Sequence, residues 1–309
     1  MTAPPAWELH VGSEGYPACL LELGDRTPEV IHGVGRRQLV SELDPANAVT
    51  IVGSRRSGTY GREMAKELGY GAAAAGMVVV SGMALGCDSW AHEGALDAGG
   101  ETIAVLGNGP DVAYPRSKAK LHRRILASGG AVIAEQPPGR QPEAWHFPAR
   151  NRIMAALAGL TVIVEGAVRS GTRHTATEAE NLGRQVAAVP GAVTNPLAGL
   201  PNDLINDGAA MVRDVQDLLD LGIGVGMVTV RGVGPALDDS LHATLAAVEG
   251  GASSCDAVAL ETGADGRAAA VALARLELMG YVEAGAVGRF ARTNLKPPDP
   301  SEAPAAREA

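Results

Sequence analysis

The sequence is poor in cysteine and in aromatic residues, and it has no long hydrophobic run. Its cysteines, Cys19, Cys87 and Cys255, are far apart and form no C-x-x-C pair, so neither a disulfide framework nor a zinc site is expected. Aromatic residues make up only 3% of the chain, whereas Gly occurs 40 times, which suits α/β packing better than an aromatic-rich β-sandwich. No apolar run approaches the ~20 residues that cross a bilayer, and the N-terminus lacks a signal pattern. We therefore expect a cytoplasmic protein with no membrane segment, metal or cofactor.

Acidic and basic residues are unevenly distributed along the chain. The whole chain has 26 Lys and Arg against 35 Asp and Glu, a net charge of -9. The stretch 53–184 has 15 basic and 12 acidic residues, a net charge of +3, so the remainder has 11 against 23, or -12. An anion site is therefore expected in this stretch. By charge alone, ordinary scatter explains an excess of this size equally well.

Six short apolar runs alternate with Ala-rich helical stretches from residue 48 onwards. Each run is almost entirely apolar, as expected for strands that are covered on both faces in a parallel sheet. Their spacing of roughly 25 to 30 residues fits βαβ units. The predicted fold class is therefore α/β, with a Rossmann-like, doubly wound, mostly parallel sheet in residues 46–222. The predicted strands are Ala48–Val52, Met77–Ser81, Thr102–Leu106, Ala131–Glu135, Thr161–Glu165 and Gln185–Val189.

The rest of the chain is predicted in three parts. Residues 1–45 are a short N-terminal extension, and residues 296–309 have the Pro-rich polar composition of a disordered tail. A Gly-rich break at 222–227 precedes a small unit at 232–295, which has three helices and then a β-hairpin, the order of elements in a winged-helix domain. The three predicted helices are Ser240–Val248, Asp256–Glu261 and Arg267–Met279.

The first loop of the predicted sheet has the composition of an anion site. Ligands of an open parallel sheet bind beyond the carboxyl ends of its strands. Residues 53–61 read GSRRSGTYG, where small residues expose N–H groups at a helix N-terminus and Arg55 adds a guanidinium fork. No G-x-G-x-x-G or P-loop motif is present, so NAD and P-loop nucleotide sites lose their main support. A Gly-rich turn with a solvated arginine remains the alternative.

Two pairs of residues after later strands have both structural and functional interpretations. Asp88 and His92 are one helical turn apart, and we favour the interpretation that Asp88 caps a helix with His92 hydrogen-bonded beside it. Arg150 and Arg152 are two residues apart, so they cannot both face one ligand from a helix. One of these two arginines is therefore expected in a structural ion pair.

The loop after the fifth predicted strand is also ambiguous when taken alone. Hydroxyls and glycines at a helix start, with Arg169, Arg173 and His174 nearby, suit a phosphate. Thr175 and Glu178 have the spacing of a capping box, which needs no ligand. Three phosphate-suited loops along one edge of one sheet nevertheless favour a shared anionic ligand.

Six segments occur in a characteristic order. They are IVGSRRSGTYG, VVVSGMALGCDSWAHEGAL, TIAVLGNGPDVAYP, FPARNRIMA, EGAVRSGTRHTATEAENLGRQVAAVPG and NDLINDGA. Together they resemble the DNA-processing protein A family, also called DprA or Smf, over about residues 46–210. The resemblance implies a bacterial, cytoplasmic protein that binds single-stranded DNA, protects it from nucleases and helps load a RecA-type recombinase in natural transformation or recombination. It also implies a homodimer and no established catalytic activity.

The resemblance also implies which residues bind DNA. Carried over by motif position, the pocket includes Gly53, Ser54, Arg55, Ser57, Ser81, Gly82, Asn151, Arg152, Ser170, Gly171 and Thr172. The neighbouring basic residues Arg150, Arg173 and His174 complete the predicted phosphate-binding set. Many family members have an additional N-terminal helical domain, for which 45 residues are too few. Cys87 and Gly166 depart from frequent family residues, and neither change is expected to abolish binding.

An enzyme and a nucleotide sensor are the alternative functions on the same fold. The sheet also resembles that of the LOG-type nucleotide phosphoribohydrolases, whose G-G-x-G-T-x-x-E loop carries a catalytic Glu. The corresponding position here is Thr175, which cannot supply the carboxylate that stabilises positive charge in the transition state. Glu178, one turn further on, would be a relocated carboxylate. A nucleotide sensor would use the same pocket without chemistry.

The predicted winged helix is acidic. Between residues 232 and 296 it has eight acidic and five basic residues, a net charge of -3. A module that reads a DNA groove is expected to be basic. We therefore expect this unit to act in protein contacts or regulation, with Arg289 and Arg292 as auxiliary phosphate contacts at most.

Overall fold

The computed structural model describes residues 5–227, 235, 237–285, 288–293, 295 and 297. The chain divides into two compact units, Met1–Val230 and Arg231–Ala309. The second unit has a hydrophobic core of its own. Within the described ranges, no helix combines the length and the apolar character needed to cross a bilayer.

A nine-stranded sheet lies at the centre of the first unit, as far as the described residues show. Its strands are β1 (Ala6–His10), β2 (Val30–Gly35), β3 (Ala48–Val52), β4 (Val78–Ser81), β5 (Thr102–Leu106), β6 (Ala131–Ala134), β7 (Leu160–Ile163), β8 (Gln185–Ala188) and β9 (Ala210–Met211). The helices of this unit are α1 (Ala18–Leu21), α2 (Arg37–Ser41), α3 (Thr59–Ala74), α4 (Cys87–Asp97), α5 (Ala119–Ala127), α6 (His146–Leu157), α7 (Thr172–Asn181), α8 (Gly199–Asn206) and α9 (Val215–Gly222).

The order of the strands defines where a ligand is expected. The spatial order is β1-β2-β6-β5-β4-β3-β7-β8-β9. Strand β2 is antiparallel to both of its neighbours, and all other pairs are parallel. From β3 the chain proceeds through β4, β5 and β6, and then returns to the other side of β3 as β7. The carboxyl ends of β3 and β7 therefore flank the topological switch point. The predicted α/β class with a mostly parallel sheet is confirmed.

Hydrophobic cores cover both faces of the sheet, which explains why its strands are apolar throughout. One core includes Ile153 of α6 and Leu200 of α8, and another includes Leu68 of α3. Helices α3 and α4 pack very closely. A Cβ at Gly69 would lie 2.3 Å from the carbonyl oxygen of Ala91, so glycine is required at that contact.

The N-terminal segment is part of the sheet, which corrects the prediction of a separate extension. Strand β2 pairs with both β1 and β6. Trp7 lies opposite Gly33, where a Cβ would be 2.2 Å from the indole ring, and its Nε1 donates a hydrogen bond to the carbonyl of Gly35 at 2.9 Å. Leu9 and Ile31 enter the core. These strands were missed because polar residues and glycine interrupt their apolar pattern.

The second unit contains three helices and a two-stranded antiparallel hairpin among its described residues. The helices are α10 (Asp239–Glu249), α11 (Cys255–Thr262) and α12 (Gly266–Leu278), and the strands are β10 (Val282–Ala284) and β11 (Phe290–Arg292). Asp238, Ser254 and Asp265 cap the three helix N-termini. This is the predicted order of elements, and the assignment as a winged helix stays a prediction. The predicted disordered tail, apart from residue 297, lies outside the described residues.

Candidate nucleic-acid interface

An open cleft of about 630 Å³ lies at the switch point of the sheet. Its walls come from the loop after β3, the loop after β7, the N-terminal part of α6 and the start of α7. The predicted site residues that line this cleft are Gly53, Ser54, Arg55, Arg150, Asn151, Ser170, Gly171 and Thr172. The structure therefore brings together eight residues that are spread over more than one hundred positions of the sequence.

Arg55 is the exposed cation of the cleft. Its guanidinium carbon lies 5.1 Å from the ring centroid of Phe147, and the Phe147 ring lies 5.4 Å from that of Tyr114. No carboxylate among the described residues forms an ion pair with Arg55. Its charge is therefore available to an anionic ligand, while the two aromatic rings offer apolar surface in the same cleft.

Two buried carboxylates hold the loop that carries Arg55. Asp88 accepts a hydrogen bond from the backbone N–H of Gly53 at 3.3 Å. Glu165, which is 2% exposed, accepts one from the N–H of Gly58 at 2.9 Å. A Cβ at Gly61 would lie 2.2 Å from Glu165 Oε2, so the carboxylate packs against the first turn of α3.

This contact corrects the predicted anion cradle. Gly58 is the N-cap of α3, and the Glu165 carboxylate already lies at the positive end of that helix dipole. Residues 56–61 do not line the cleft. The loop after β3 therefore contributes Gly53, Ser54 and the Arg55 side chain to an anion site, and the α3 N-terminus is closed to a phosphate.

The N-terminus of α7 opens into the cleft instead. Gly171 is the N-cap of α7, no side chain caps this helix, and its first turn has no acidic residue. Asn151 Nδ2 donates to the carbonyl of Gly171 at 3.4 Å. Ser170 Oγ is buried and has no hydrogen-bond partner within the described part of the chain. The backbone N–H groups of Arg173 and His174 donate to the carbonyls of Ser170 and Gly171, each at 3.2 Å. The positive end of the α7 dipole still faces the cleft without an acidic residue beside it, which favours an anion, so α7 is the better of the two predicted phosphate sites.

The predicted capping box is not formed. Helix α7 begins at Thr172, so Thr175 lies inside the helix and is buried. Glu178 accepts hydrogen bonds from both terminal nitrogens of Arg26, each at 2.7 Å. The Glu178 carboxylate is therefore held by Arg26 and does not line the cleft.

Arg150 is a structural part of the cleft wall. Its guanidinium donates to the carbonyls of Gly82, at 2.8 Å, and Val105, and to Asn151 Oδ1 at 3.1 Å. Its Nη2 lies 3.8 Å from Asp88 Oδ2. Burial lowers the pKa of Arg150 to about 10, although Asp88 opposes this shift. Burial raises the pKa of Asp88, which Arg150 opposes in turn. The pair connects the loops after β3 and β4 with strand β5.

The structure does not bring Arg152 to the cleft. Its guanidinium forms a bidentate ion pair with Glu135 at 2.7 and 3.0 Å and donates to the carbonyl of Arg26 at 2.8 Å. Arg152 is thus the arginine in a structural ion pair, as expected for one of the two. Arg150 is also engaged inside the protein, because the chain offers it buried carbonyls and Asp88.

Several other predicted site residues do not line the cleft but pack behind its walls. Ser81 Oγ donates to the carbonyl of Ile51 at 2.6 Å, and Ser57 is buried. Gly82 lines only a recess of about 80 Å³ beside the cleft. A Cβ at Gly82 would lie 2.1 Å from the Arg150 guanidinium, so glycine allows that side chain to pass.

Asp88 and His92 do not form the predicted pair. His92 Nδ1 lies 2.7 Å from Thr102 Oγ1, and this hydroxyl donates to the carbonyl of Val79. The hydroxyl therefore accepts a hydrogen bond from Nδ1–H. Burial, with Arg150 as a further cause, lowers the pKa of His92 to about 3. His92 is a core residue.

Arg173 and His174 line an open shelf next to the α7 end of the cleft. Arg169, Ser170 and Gly171 also contribute to this shelf. Arg173 Nη2 lies 3.3 Å from Asp203 Oδ2. The shelf therefore places basic side chains beside the start of α7. Among the described residues, no group of His, Cys, Asp and Glu side chains has the arrangement of a metal site.

The fold and the cleft define a Rossmann-like α/β protein with an open crevice, lined by the exposed Arg55, at its switch point. The family model of DNA recombination-mediator protein A matches residues 8–221. The chain belongs to this family.

Curated relatives and solved structures agree with this assignment. A putative DNA processing protein DprA from Mycobacterium tuberculosis is 37% identical over 263 residues, 83% of this chain and 67% of the relative. The Bacillus subtilis DNA processing protein DprA is 35% identical, with 69% and 70% covered. The DprA structure from Streptococcus pneumoniae has a TM-score of 0.63 and 36% identity, covering 69% of this chain and 73% of that one. A Helicobacter pylori structure, described for its single-stranded DNA binding mode, has a TM-score of 0.62 and 27% identity, covering 70% and 95%.

Proposed function

We propose that the protein binds single-stranded DNA across the switch-point cleft, mainly through backbone phosphates. The observation that carries this proposal is the exposed Arg55 in the same cleft as the uncapped N-terminus of α7. Phosphate contacts carry no base information, so little sequence preference is expected. The rings of Tyr114 and Phe147 suit unpaired bases, whose faces are accessible only outside a duplex. The Helicobacter pylori structure is described for its single-stranded DNA binding mode, which supports the same ligand.

The family supports a biological role in DNA processing. We place this chain in the protection of incoming single-stranded DNA and in the loading of a RecA-type recombinase, during natural transformation or recombination. A homodimer in the cytoplasm is the expected working form. The C-terminal unit, taken as a winged helix, is assigned to protein contacts. Arg292 supports this assignment, since it donates to Glu249 at 2.8 Å and its guanidinium is engaged inside the unit.

The cleft is assigned to binding rather than catalysis. Thr175 stands where a phosphoribohydrolase has its carboxylate, and Arg26 holds the Glu178 carboxylate outside the cleft. Asp88 is buried and accepts from Gly53. We expect no turnover of nucleoside monophosphates, DNA or ATP. Release of free base from a nucleoside monophosphate would favour the enzyme instead.

A salt titration with labelled oligonucleotides tests the proposal. Purified protein is titrated with single-stranded and double-stranded DNA of the same sequence at several salt concentrations. We expect preference for the single strand and a log-log salt slope of roughly -2 to -4, because each neutralised phosphate contributes about -0.7. Equal affinity for the duplex, or an affinity that does not change with salt, would contradict the proposal.

A further inference from the structure

The outer face of α4 has an unusual distribution of charge. Helix α4 packs between α3 and α5, and Trp90, Glu93 and Asp97 follow one another at helical spacing on its partly exposed side. In its second half, the flanking cations are neutralised. Lys66 of α3 lies 2.8 Å from Asp97, and Arg124 of α5 pairs with both Glu93 and Asp97.

The first half of the same face has cations without acids. Arg62 lies one turn before Lys66 on α3, and Lys118 directly precedes α5. Neither forms an ion pair with a carboxylate in the described part of the chain. The first turn of α4 has one acidic residue, Asp88, and it is buried against Gly53 and Arg150.

Arg62 and Lys118 belong to the two segments that flank α4, since Lys66, one turn after Arg62, pairs with Asp97, and α5, which follows Lys118, pairs with Glu93 through Arg124. Partial burial and the charge of Arg62 both lower the pKa of Lys118. Two cations beside α4 thus have no carboxylate partner in the described part of the chain, in contrast with the paired cations Lys66 and Arg124.

This surface is continuous with the cleft. The recess beside the cleft is lined by Arg55 and Arg150, which also line the cleft, and by Leu85 and Pro115. Leu85 is 44% exposed and lies two residues before α4. Pro115 lies three residues before Lys118. The recess therefore leads from Arg55 to the start of the α4 face.

We propose that a DNA strand in the cleft continues across the N-terminal turn of α4, with its backbone phosphates held by Arg62 and Lys118. Trp90, partly exposed on the same face, provides a flat ring for an unpaired base. Lys66 Nζ, which is paired with Asp97, lies over this ring at 5.9 Å from its centroid. This extension rests on the proposed function of the cleft.

The extension predicts a dependence on oligonucleotide length. Neighbouring β-strands of a sheet are about 4.8 Å apart, so the cleft and its recess, which extend from β7 to β5, span about 14 Å. A strand of about four nucleotides fills this distance, whereas one of about 20 nucleotides also reaches the α4 face.

The test compares two double variants of the full chain. Arg62→Gln with Lys118→Gln removes both cations of the α4 face. The control, Arg37→Gln with Arg123→Gln, removes the same charge at exposed positions on α2 and α5. Binding is measured by fluorescence anisotropy for the long oligonucleotide, and by competition for the short one, over a range of salt concentrations.

We expect the first variant to bind the long oligonucleotide about tenfold more weakly, with a salt slope reduced in magnitude by about 1.4, or 0.7 for each lost phosphate contact. Its affinity for the short oligonucleotide should be unchanged, and Arg62→Lys with Lys118→Arg should bind normally. An affinity for the long strand equal to that of the control, or an equal loss for both lengths, would overturn the inference. Failure of the wild-type protein to bind either strand would instead refute the proposed function.

Discussion

The Arg55 guanidinium combines exposure, freedom from ion pairs within the described residues, and a position at the carboxyl end of β3. Replacing it with alanine should weaken binding of single-stranded DNA more than tenfold, because a charge-assisted hydrogen bond contributes about 1.5–3 kcal/mol. The protein should keep its melting temperature. Arg56→Ala is the matched control, since Arg56 is exposed on the same loop but does not line the cleft. Equal affinities of the two variants would place the pocket on another loop.

Arg150 is unsuitable for the same experiment. Its removal would leave Asp88 buried without its counter-charge, which typically costs about 3–5 kcal/mol of stability. A loss of DNA binding by Arg150→Ala would therefore report on folding. Arg173→Ala is the better second probe, because Arg173 is on the exposed shelf.

His92 predicts a dependence of stability on pH. The folded-state pKa of about 3 lies below the ordinary value of 6.5 because burial, together with Arg150, disfavours the charged ring. The unfolded chain therefore binds a proton more readily, so this contribution is complete above pH 6.5 and decreases as the pH falls toward 3. Between pH 7.5 and 5 the wild type should lose about 2 kcal/mol more than His92→Gln. Urea unfolding at the two pH values measures this difference, and parallel losses would contradict it.

Helix α7 allows the effects of charge on folding and on binding to be separated. Gly171 has φ -61, and a Cβ there would meet nothing within 4 Å, so larger residues fit. Gly171→Asp should keep the free energy of unfolding within about 1 kcal/mol, because an acidic group is favourable at a helix N-terminus. It should weaken DNA binding about tenfold, because the new carboxylate repels phosphate. Gly171→Asn has the same shape without the charge and should bind much more tightly than Gly171→Asp. Similar affinities for the two variants would show that α7 is not a phosphate site.

The two helix N-termini also show what the sequence could and could not predict. The strands from β3 to β8 followed from their apolar runs, and the loops that follow the strands contain half of the cleft residues. The sequence could not predict that the Glu165 carboxylate occupies the α3 N-terminus, because Gly58 and Glu165 are 107 positions apart and no local pattern links them. The same limit applies to Arg150 and Arg152. Their partners, Asp88 and Glu135, lie on other elements, so burial was not apparent from the motif.

At the scale of the whole molecule, the second unit should be dispensable for binding to single-stranded DNA. Two of its described cations are used internally, since Arg275 pairs with Asp238 at 3.0 Å and Arg292 with Glu249 at 2.8 Å. A chain that ends after Gly226 should bind single-stranded DNA within a few-fold of the full chain in the same anisotropy assay. A loss beyond tenfold would show that the acidic unit contacts DNA after all.

The placement of the tryptophans has an optical consequence. Of the three tryptophans, Trp7 lies on β1, Trp145 is 61% exposed between cleft-lining residues, and Trp90 is on the α4 face. A nucleobase that stacks on an indole quenches its emission. A short oligonucleotide should therefore quench only the Trp145 signal, which Trp145→Phe removes, while a long one should also quench Trp90. Equal quenching at both lengths would contradict this assignment. The intrinsic fluorescence of the unlabelled protein would then measure how far a bound strand extends along its surface.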